Sequence, residues 1–414
     1  MLSVPFGVFL RRTRASLAVL LLASAVLFSS ARTADKPPQV LIAIGDIHGD
    51  FDDFSLLLQR VGLADAAGHW SGGKTTLIQT GDLIDRGPKG RQVMDLLMSL
   101  EKEAATADGE VRILLGNHEV MNILGDVRYV PAEDYTSFAD NESENRRKAA
   151  FKEYAAWLAD HKALLAPIKE PKFSASEEEW TAKHPLGFVE YREAMSLQGK
   201  YGNWLRKHAA VAQIGDTIFL HGGIDPDLAS LKLDGMNSRV REEIEEFDKT
   251  KDALVKRKLV LPFFTIQELA IAVQAQLFAD GQAAASVVEE YHAKLLGLRG
   301  FSAWLCMRDN GPLWFRGYDE WSDEDGAARI EKILSAYGAK HIVVAHTVQK
   351  TRHIRARFAE KIFLIDTGML SAYWKGGRAS ALKLRDGVNF SAEYMDEPEV
   401  RFGEKTPTSS GKEN

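Results

Sequence analysis

Short apolar runs that each end in a polar cluster recur along this chain, and they constrain its fold more than any other feature. "VLIAIG" at 40–45, "TTLIQTG" at 75–81 and "VRILLG" at 111–116 read as strands. "TIFLHG" at 217–222, "HIVVAH" at 341–346, "KIFLID" at 361–366 and "ALKLRD" at 381–386 continue the series. Helical patterns separate the first three. "DDFSLLLQRVGLADAAG", for example, sets Phe54, Leu57, Leu58 and Val61 on one side. That alternation predicts βαβ units and an α/β fold, in which the loops after the strands usually hold the active site.

Two long stretches break the rhythm. Residues 130–210 and 226–300 are charged and poor in strand signals, and they read as helical insertions that cap the sheet within one domain spanning 35–395. From 396 to 414 the chain reads as a disordered tail, because "EKTPTSSGKEN" has too little apolar content to pack. At the other end, Arg11, Arg12 and Arg14 precede "SLAVLLLASAVLF", and "SSARTA" follows. This outlines a signal peptide over 1–34, and the expected location is exported, periplasmic or secreted; the alternative is an uncleaved anchor.

"GHWSGGKT" at 68–75 matches the phosphate-loop pattern letter for letter. Its context is reversed, however. A phosphate loop follows a strand and opens a helix, whereas here a helix precedes and a strand follows. Gly68, Gly72 and Gly73 are therefore expected to shape a turn.

The strand ends carry the chemistry. Asp46 and His48 follow the first strand in "GDIHGD", and Asp82 follows the second in "GDLIDRG", with Asp85 and Arg86 behind it. Asn117 and His118 follow the third in "GNHE"; His221 and His346 close two later strands. These are oxygen and imidazole donors with no sulfur among them, a set suited to Mn, Fe or Zn. The reaction that needs such a set is two-metal hydrolysis by in-line attack of a water that both ions activate. Asp82, from the central motif, is the natural bridging carboxylate, and the two ions are expected roughly 3.5–4 Å apart. Asn117 would add a neutral oxygen ligand. His118 is placed to act as general acid, with Asp85 orienting its imidazole, and Arg86 can clamp a phosphoryl oxygen.

As a set, "GDIHG", "GDLIDRG", "GNHE" and "HGG" resemble the calcineurin-like metallophosphoesterases, in their phosphoprotein phosphatase branch. "GDVRYV" after "GNHE" and "GPLWFRGY" at 311–318 look like the bacterial Shewanella-like phosphatases. The resemblance implies a four-layer α/β/β/α sandwich and two divalent or mixed-valence metal ions. It implies that Asp46, His48 and Asp82 hold one ion while Asp82, Asn117, His221 and His346 hold the other. It also implies that Arg316 completes a phosphate clamp with Arg86 and Asn117. The expected substrates are a phosphorylated protein or a small phosphomonoester.

Composition narrows the rivals. Without the four arginines of the first 34 residues, the formal charge of −6 becomes −10, which argues against a nucleic-acid partner. No stable membrane partner is expected unless the signal stays uncleaved. Cys306 is the only cysteine, and the sixth residue after it is Pro312, so a C-x5-R phosphatase loop is excluded. The alternatives are a dinucleoside-polyphosphate or small-molecule phosphate hydrolase, and a non-catalytic phosphate-binding module. The first resembles "GDIQG" and "GNHD" where this chain has His48 and Glu119. The second would be expected to have lost a ligand, and none is missing.

Overall fold

The first strand shows how the layers arise. β1 (Val40–Ile44) is apolar throughout, so both of its faces have to be covered. Leu41 and Ala43 turn into one buried cluster and Ile42 and Ile44 into another, as the period of two requires. The computed structural model describes residues 40–168, 173–280, 295 and 297–403, all within one compact unit. The expected signal segment 1–34 lies outside the described residues, as do 281–294 of the second insertion.

β1 pairs in parallel with β2 (Thr76–Gln79), and β2 pairs in parallel with β3 (Glu110–Ile113). The connections are α1 (Phe51–Arg60) and α2 (Gly90–Thr106), which completes the two βαβ units read from the sequence. Local chemistry starts α1: the Asp50 carboxylate accepts the Asp53 amide at 3.2 Å, and Asp52 and Asp53 stand in the first turn. Phe54, Leu57 and Leu58 form its buried face. β9 (Ser380–Arg385), β10 (Asn389–Tyr394) and β11 (Val400–Arg401) extend the sheet in antiparallel fashion, giving the order β11-β10-β9-β1-β2-β3. The tail expected from 396 is thus corrected: β11 pairs with β10, and Phe402 donates its amide to Phe390. Residues 404–414 lie outside the described residues.

The second sheet holds β4 (Val211–Ile214), β5 (Thr217–Leu220), β6 (His341–Val344), β7 (Arg355–Arg357) and β8 (Ile362–Leu364), in the order β4-β5-β6-β8-β7. One cluster joins Leu41, Ala43, Ile78 and Leu114 of the first sheet to Phe219, Val343 and Phe363 of the second. Phe363, fully buried, stacks on Phe390 across the two sheets at 4.2 Å. Burying a ring of that size is worth about 1.5–3 kcal/mol. Ile218, Leu220, Ile342 and Val344 turn the other way, toward a cluster that includes Met236 and Val240 of the helix Leu233–Lys256. The result is the four-layer α/β/β/α sandwich.

Both interruptions of the strand rhythm are helical. The first carries helices from Ala132–Ser137 to Lys200–Leu205, and the second carries Leu233–Lys256 and Ile266–Asp280. They pack on one another: Trp157 donates its indole N–H to the Leu259 carbonyl at 3.1 Å, and its ring meets Phe264 edge-on. "GHWSGGKT" is a turn between α1 and β2, with Gly68 and Gly73 at φ 84° and 54°. Lys74 is exposed beside Asp108, 3.8 Å away, and no helix opens there to hold a phosphate. Cys306 is buried in the core.

Candidate metal centre and active site

The strand ends of both sheets converge. Asp46 and His48 follow β1, Asp82 follows β2, and Asn117 begins α3 (Asn117–Leu124) after β3. From the second sheet, His221 follows β5 and His346 follows β6. The turns that deliver them are tight. His48, Asp82, Asp85, Arg86 and His346 all have φ between 49° and 71°, a left-handed backbone that side-chain-bearing residues rarely adopt. Gly81 takes φ 96°, and a Cβ on Gly116 would fall 2.2 Å from Asp82 Oδ1. Only glycine lets β2 and β3 end that close together.

Each imidazole is fixed by one nitrogen and presents the other. His48 donates Nδ1–H to the Ile84 carbonyl at 3.1 Å, and His221 donates Nδ1–H to the Thr80 carbonyl at 3.0 Å. His346 donates Nε2–H to the Trp314 carbonyl at 3.1 Å. The free nitrogens gather on Asp82. His221 Nε2 is 3.3 Å and His48 Nε2 3.6 Å from Asp82 Oδ2, while the Asn117 carbonyl oxygen and His346 Nδ1 lie 2.9 and 3.1 Å from His221 Nε2. Asp82 Oδ1 is occupied by the His118 amide at 3.0 Å, which turns Oδ2 to the centre. Asp46 reaches in beside them: Oδ2 is 3.7 Å from His48 Nε2, and Oδ1 accepts the His346 amide at 3.1 Å.

This donor set fits metal ions. Imidazole lone pairs aimed at one another and at a carboxylate, all buried, call for cations among them. Asp82, His221 and His346 lie within 4.8 Å by their ligand atoms, and so do His48, Asp82 and His118. Asp366, at the end of β8, presses on Asp46, and its Oδ2 is buried without a partner. Burial, then the charges of Asp366 and Asp82, push the Asp46 carboxyl well above its usual range. Burial lowers His48 to about 3 and holds His346 well below the ordinary imidazole value, so both are neutral, as metal ligands must be.

His118 differs. Its Nδ1 lies 2.6 Å from Asp85 Oδ2, and its Nε2 is 3.9 Å from Asp82 Oδ2 and 3.2 Å from an Arg86 terminal nitrogen. Burial works against a proton on the ring, but Asp82 and Asp85 together outweigh it and raise His118 above its usual value. Arg86 is half-buried with its Nε unpartnered, and Arg316 is exposed at the rim, donating to the His346 carbonyl and the Thr347 hydroxyl at 3.0 Å each.

The proposed ligands, together with Asp85, Arg86, His118 and Arg316, therefore lie at this centre or on its rim, but several partners were missed. Glu119 accepts three amides, from Asp82, Leu83 and Gly116, at 2.7–2.8 Å, tying β2's turn to α3. Burial and the neighbouring Asp82 push its carboxyl up to about 7. Asn122 donates to Asp85 at 3.0 Å and accepts from the Tyr191 hydroxyl at 2.7 Å, so the first insertion braces the His118–Asp85 pair. Asp366 had a signal, since it ends "KIFLID" as Asp46 and Asp82 end their strands. Asn122 and Tyr191 had none, because nothing local marks a contact across 69 residues.

Two sheets that deliver buried aspartates and histidines to a shared centre define a dinuclear phosphoesterase site. The chain belongs to the calcineurin-like phosphoesterase family, whose profile matches residues 40–350, and it is a metal-dependent phosphatase. Among its relatives is the Shewanella-like protein phosphatase 2 of Arabidopsis thaliana, 26% identical over 82% of this chain and 73% of that protein. The Shewanella-like protein phosphatase 1 of Plasmodium berghei is 24% identical over 80% of this chain and 67% of that protein. In fold it is similar to a cold-active protein-tyrosine phosphatase of a psychrophilic Shewanella species. That match has a TM-score of 0.55 and 22% identity, covering 88% of this chain and 80% of that one.

Proposed function

We propose that this phosphatase hydrolyses phosphate monoesters, phosphoproteins among them, with His118 giving the leaving oxygen its proton. The observation that carries this reading is the setting of His118. Asp85 holds Nδ1, and Nε2 faces Asp82 and the Arg86 guanidinium. A metal ion on Nε2 would be repelled by that guanidinium, so the ring suits a proton carrier and not a ligand. Asp46, His48 and Asp82 would hold one divalent ion and Asp82, Asn117, His221 and His346 the other, with Mn, Fe and Zn suited to the donors. Bound there, such ions would supply Lewis acidity that makes a water nucleophilic toward phosphorus near neutral pH. Arg86, Arg316 and Asn117 bind the non-bridging oxygens, and the forked guanidinium geometry orients the phosphoryl group. The Shewanella-like protein phosphatases among its relatives support phosphorylated protein side chains as the substrate class.

His118→Asn tests the assignment because it removes no ligand. Metal content should stay at the wild-type level while turnover of a phosphoserine peptide falls roughly 10²–10⁴-fold. On p-nitrophenyl phosphate, whose leaving group departs as an anion, the deficit should be much smaller. Loss of metal, or equal slowing of both substrates, would remove His118 from the role.

Export belongs to the same proposal, supported by the arginine-flanked apolar run and the absence of any acid before Asp35. Mass spectrometry of the native protein should find its N-terminus near residues 32–35. Intact Met1 on soluble protein would refute processing.

A further inference from the structure

A groove of about 380 Å³ opens where the two helical insertions meet the loop after α3. Val127 and Val130 of that loop line it, with Phe188 of the first insertion and Thr265 of the second. Only one thickness of chain parts it from the metal centre. Residues 127, 128 and 130 face the groove, while Tyr129 between them sets its ring 5.2 Å from that of His118. The Tyr129 carbonyl also accepts the Arg86 amide at 2.8 Å, so the groove and the phosphate clamp share one loop.

The charge of the groove runs against that of the molecule. The chain carries −6 overall, yet among the described residues the charged ones that line the groove are Arg128 and Lys183, with no carboxylate. Arg128 is fixed by Asp126, which accepts its Nε–H at 2.8 Å. Lys183 ends the helix Glu177–Lys183, is exposed, and its ammonium has no hydrogen bond or ion pair among the described residues. Apolar walls with an uncommitted ammonium at the rim complement a short aliphatic stem that ends in a carboxylate, as in glutamate. An extended chain advances about 3.3–3.6 Å per residue, so roughly two to four residues carry it from Arg86 over a wall one chain thick. We infer that this groove is a substrate subsite for an acidic residue of a phosphorylated polypeptide, a few positions from the phosphorylated one. The inference deepens the phosphoprotein reading above and rests on it.

Phosphoserine peptides in a Gly-Ser background, each with one glutamate at a different flanking position, test it on the Mn-loaded full chain. Matched peptides with glutamine in its place are the controls. At one or two positions glutamate should raise kcat/KM about 3- to 10-fold over glutamine, and high salt should erase the advantage. Lys183→Glu should abolish that advantage or invert it, and Lys183→Arg should keep it. Turnover of p-nitrophenyl phosphate, which has no flanking residue, should stay within 2-fold in both variants. The inference falls if the wild type prefers glutamate nowhere, or if the preference survives Lys183→Glu. It falls equally if Lys183→Glu slows p-nitrophenyl phosphate, or if an unphosphorylated glutamate peptide alters that turnover, since the groove would then regulate the centre instead of reading the substrate. Hydrolysis of neither peptide nor p-nitrophenyl phosphate sinks the phosphomonoesterase reading as well, whereas unselective hydrolysis of the peptides removes the subsite alone.

Discussion

Arg86 and Arg316 reach the centre by different routes, and that difference matters residue by residue. Arg86 has a left-handed backbone in the turn after β2, is half-buried, and touches His118. Arg316 lies on the rim and leans on the His346 carbonyl. Lysine keeps the charge but loses the planar fork. Arg86→Lys should therefore lower turnover by ten-fold or more, and Arg316→Lys by less, while metal analysis of both variants stays at the wild-type level. Wild-type rates would take the residue concerned out of the site. Asp82 sets the contrast, since it offers Oδ2 to both halves of the centre, and a change there would remove metal and activity together.

Among the elements, the cap helix Ala132–Ser137 locks to the start of α2 through Asp134. Asp134 Oδ1 accepts the Arg91 amide at 3.4 Å, and Oδ2 is buried without a partner. Burial, helped by the nearby Asp85, pushes this carboxyl up to about 7. In the unfolded chain it would titrate near 3.9. The folded state thus holds an extra proton between those values. The stability that proton contributes is full below about pH 4 and is lost as pH rises through about 7. Asp134→Asn abolishes the titration. The stability of the variant relative to wild type should rise from pH 4.5 to pH 8, by at most about 3 kcal/mol. Thermal melts across that range measure it, and a flat difference would show that the carboxyl is not held neutral.

At the scale of the whole molecule, the centre joins the sheets. The first contributes Asp46, His48, Asp82 and Asn117, and the second contributes His221 and His346. Ions bound only by the folded form stabilise it by mass action, about 2.7 kcal/mol at a free concentration 100 times Kd. Chelation should lower the melting temperature by several degrees and abolish activity, with both restored by added Mn or Zn. An unchanged melt after verified metal loss would mean that the sheets are held without the ions.

What the sequence determined by itself was whatever a strand and its next few residues settle. Seven strands, both helical insertions and every proposed ligand were legible, because a short apolar run declares a strand and a glycine-acid turn declares its end. The reversed order around Lys74 likewise exposed "GHWSGGKT" as a turn. β4, β7, β10 and β11 were missed; β7 (Arg355–Arg357) is half-buried and reads as charge, and β11 is a two-residue pairing with β10. Tertiary structure alone decided which carbonyl fixes each imidazole, that Asp366 backs Asp46, and that Tyr191 braces Asp85 through Asn122. It alone brought Tyr129 and Tyr373 to the Arg86 guanidinium, whose carbon lies 5.4 and 4.0 Å from their ring centres. Those contacts join segments tens to hundreds of residues apart, and their partners are chosen by how two sheets and a cap pack, which no local pattern encodes.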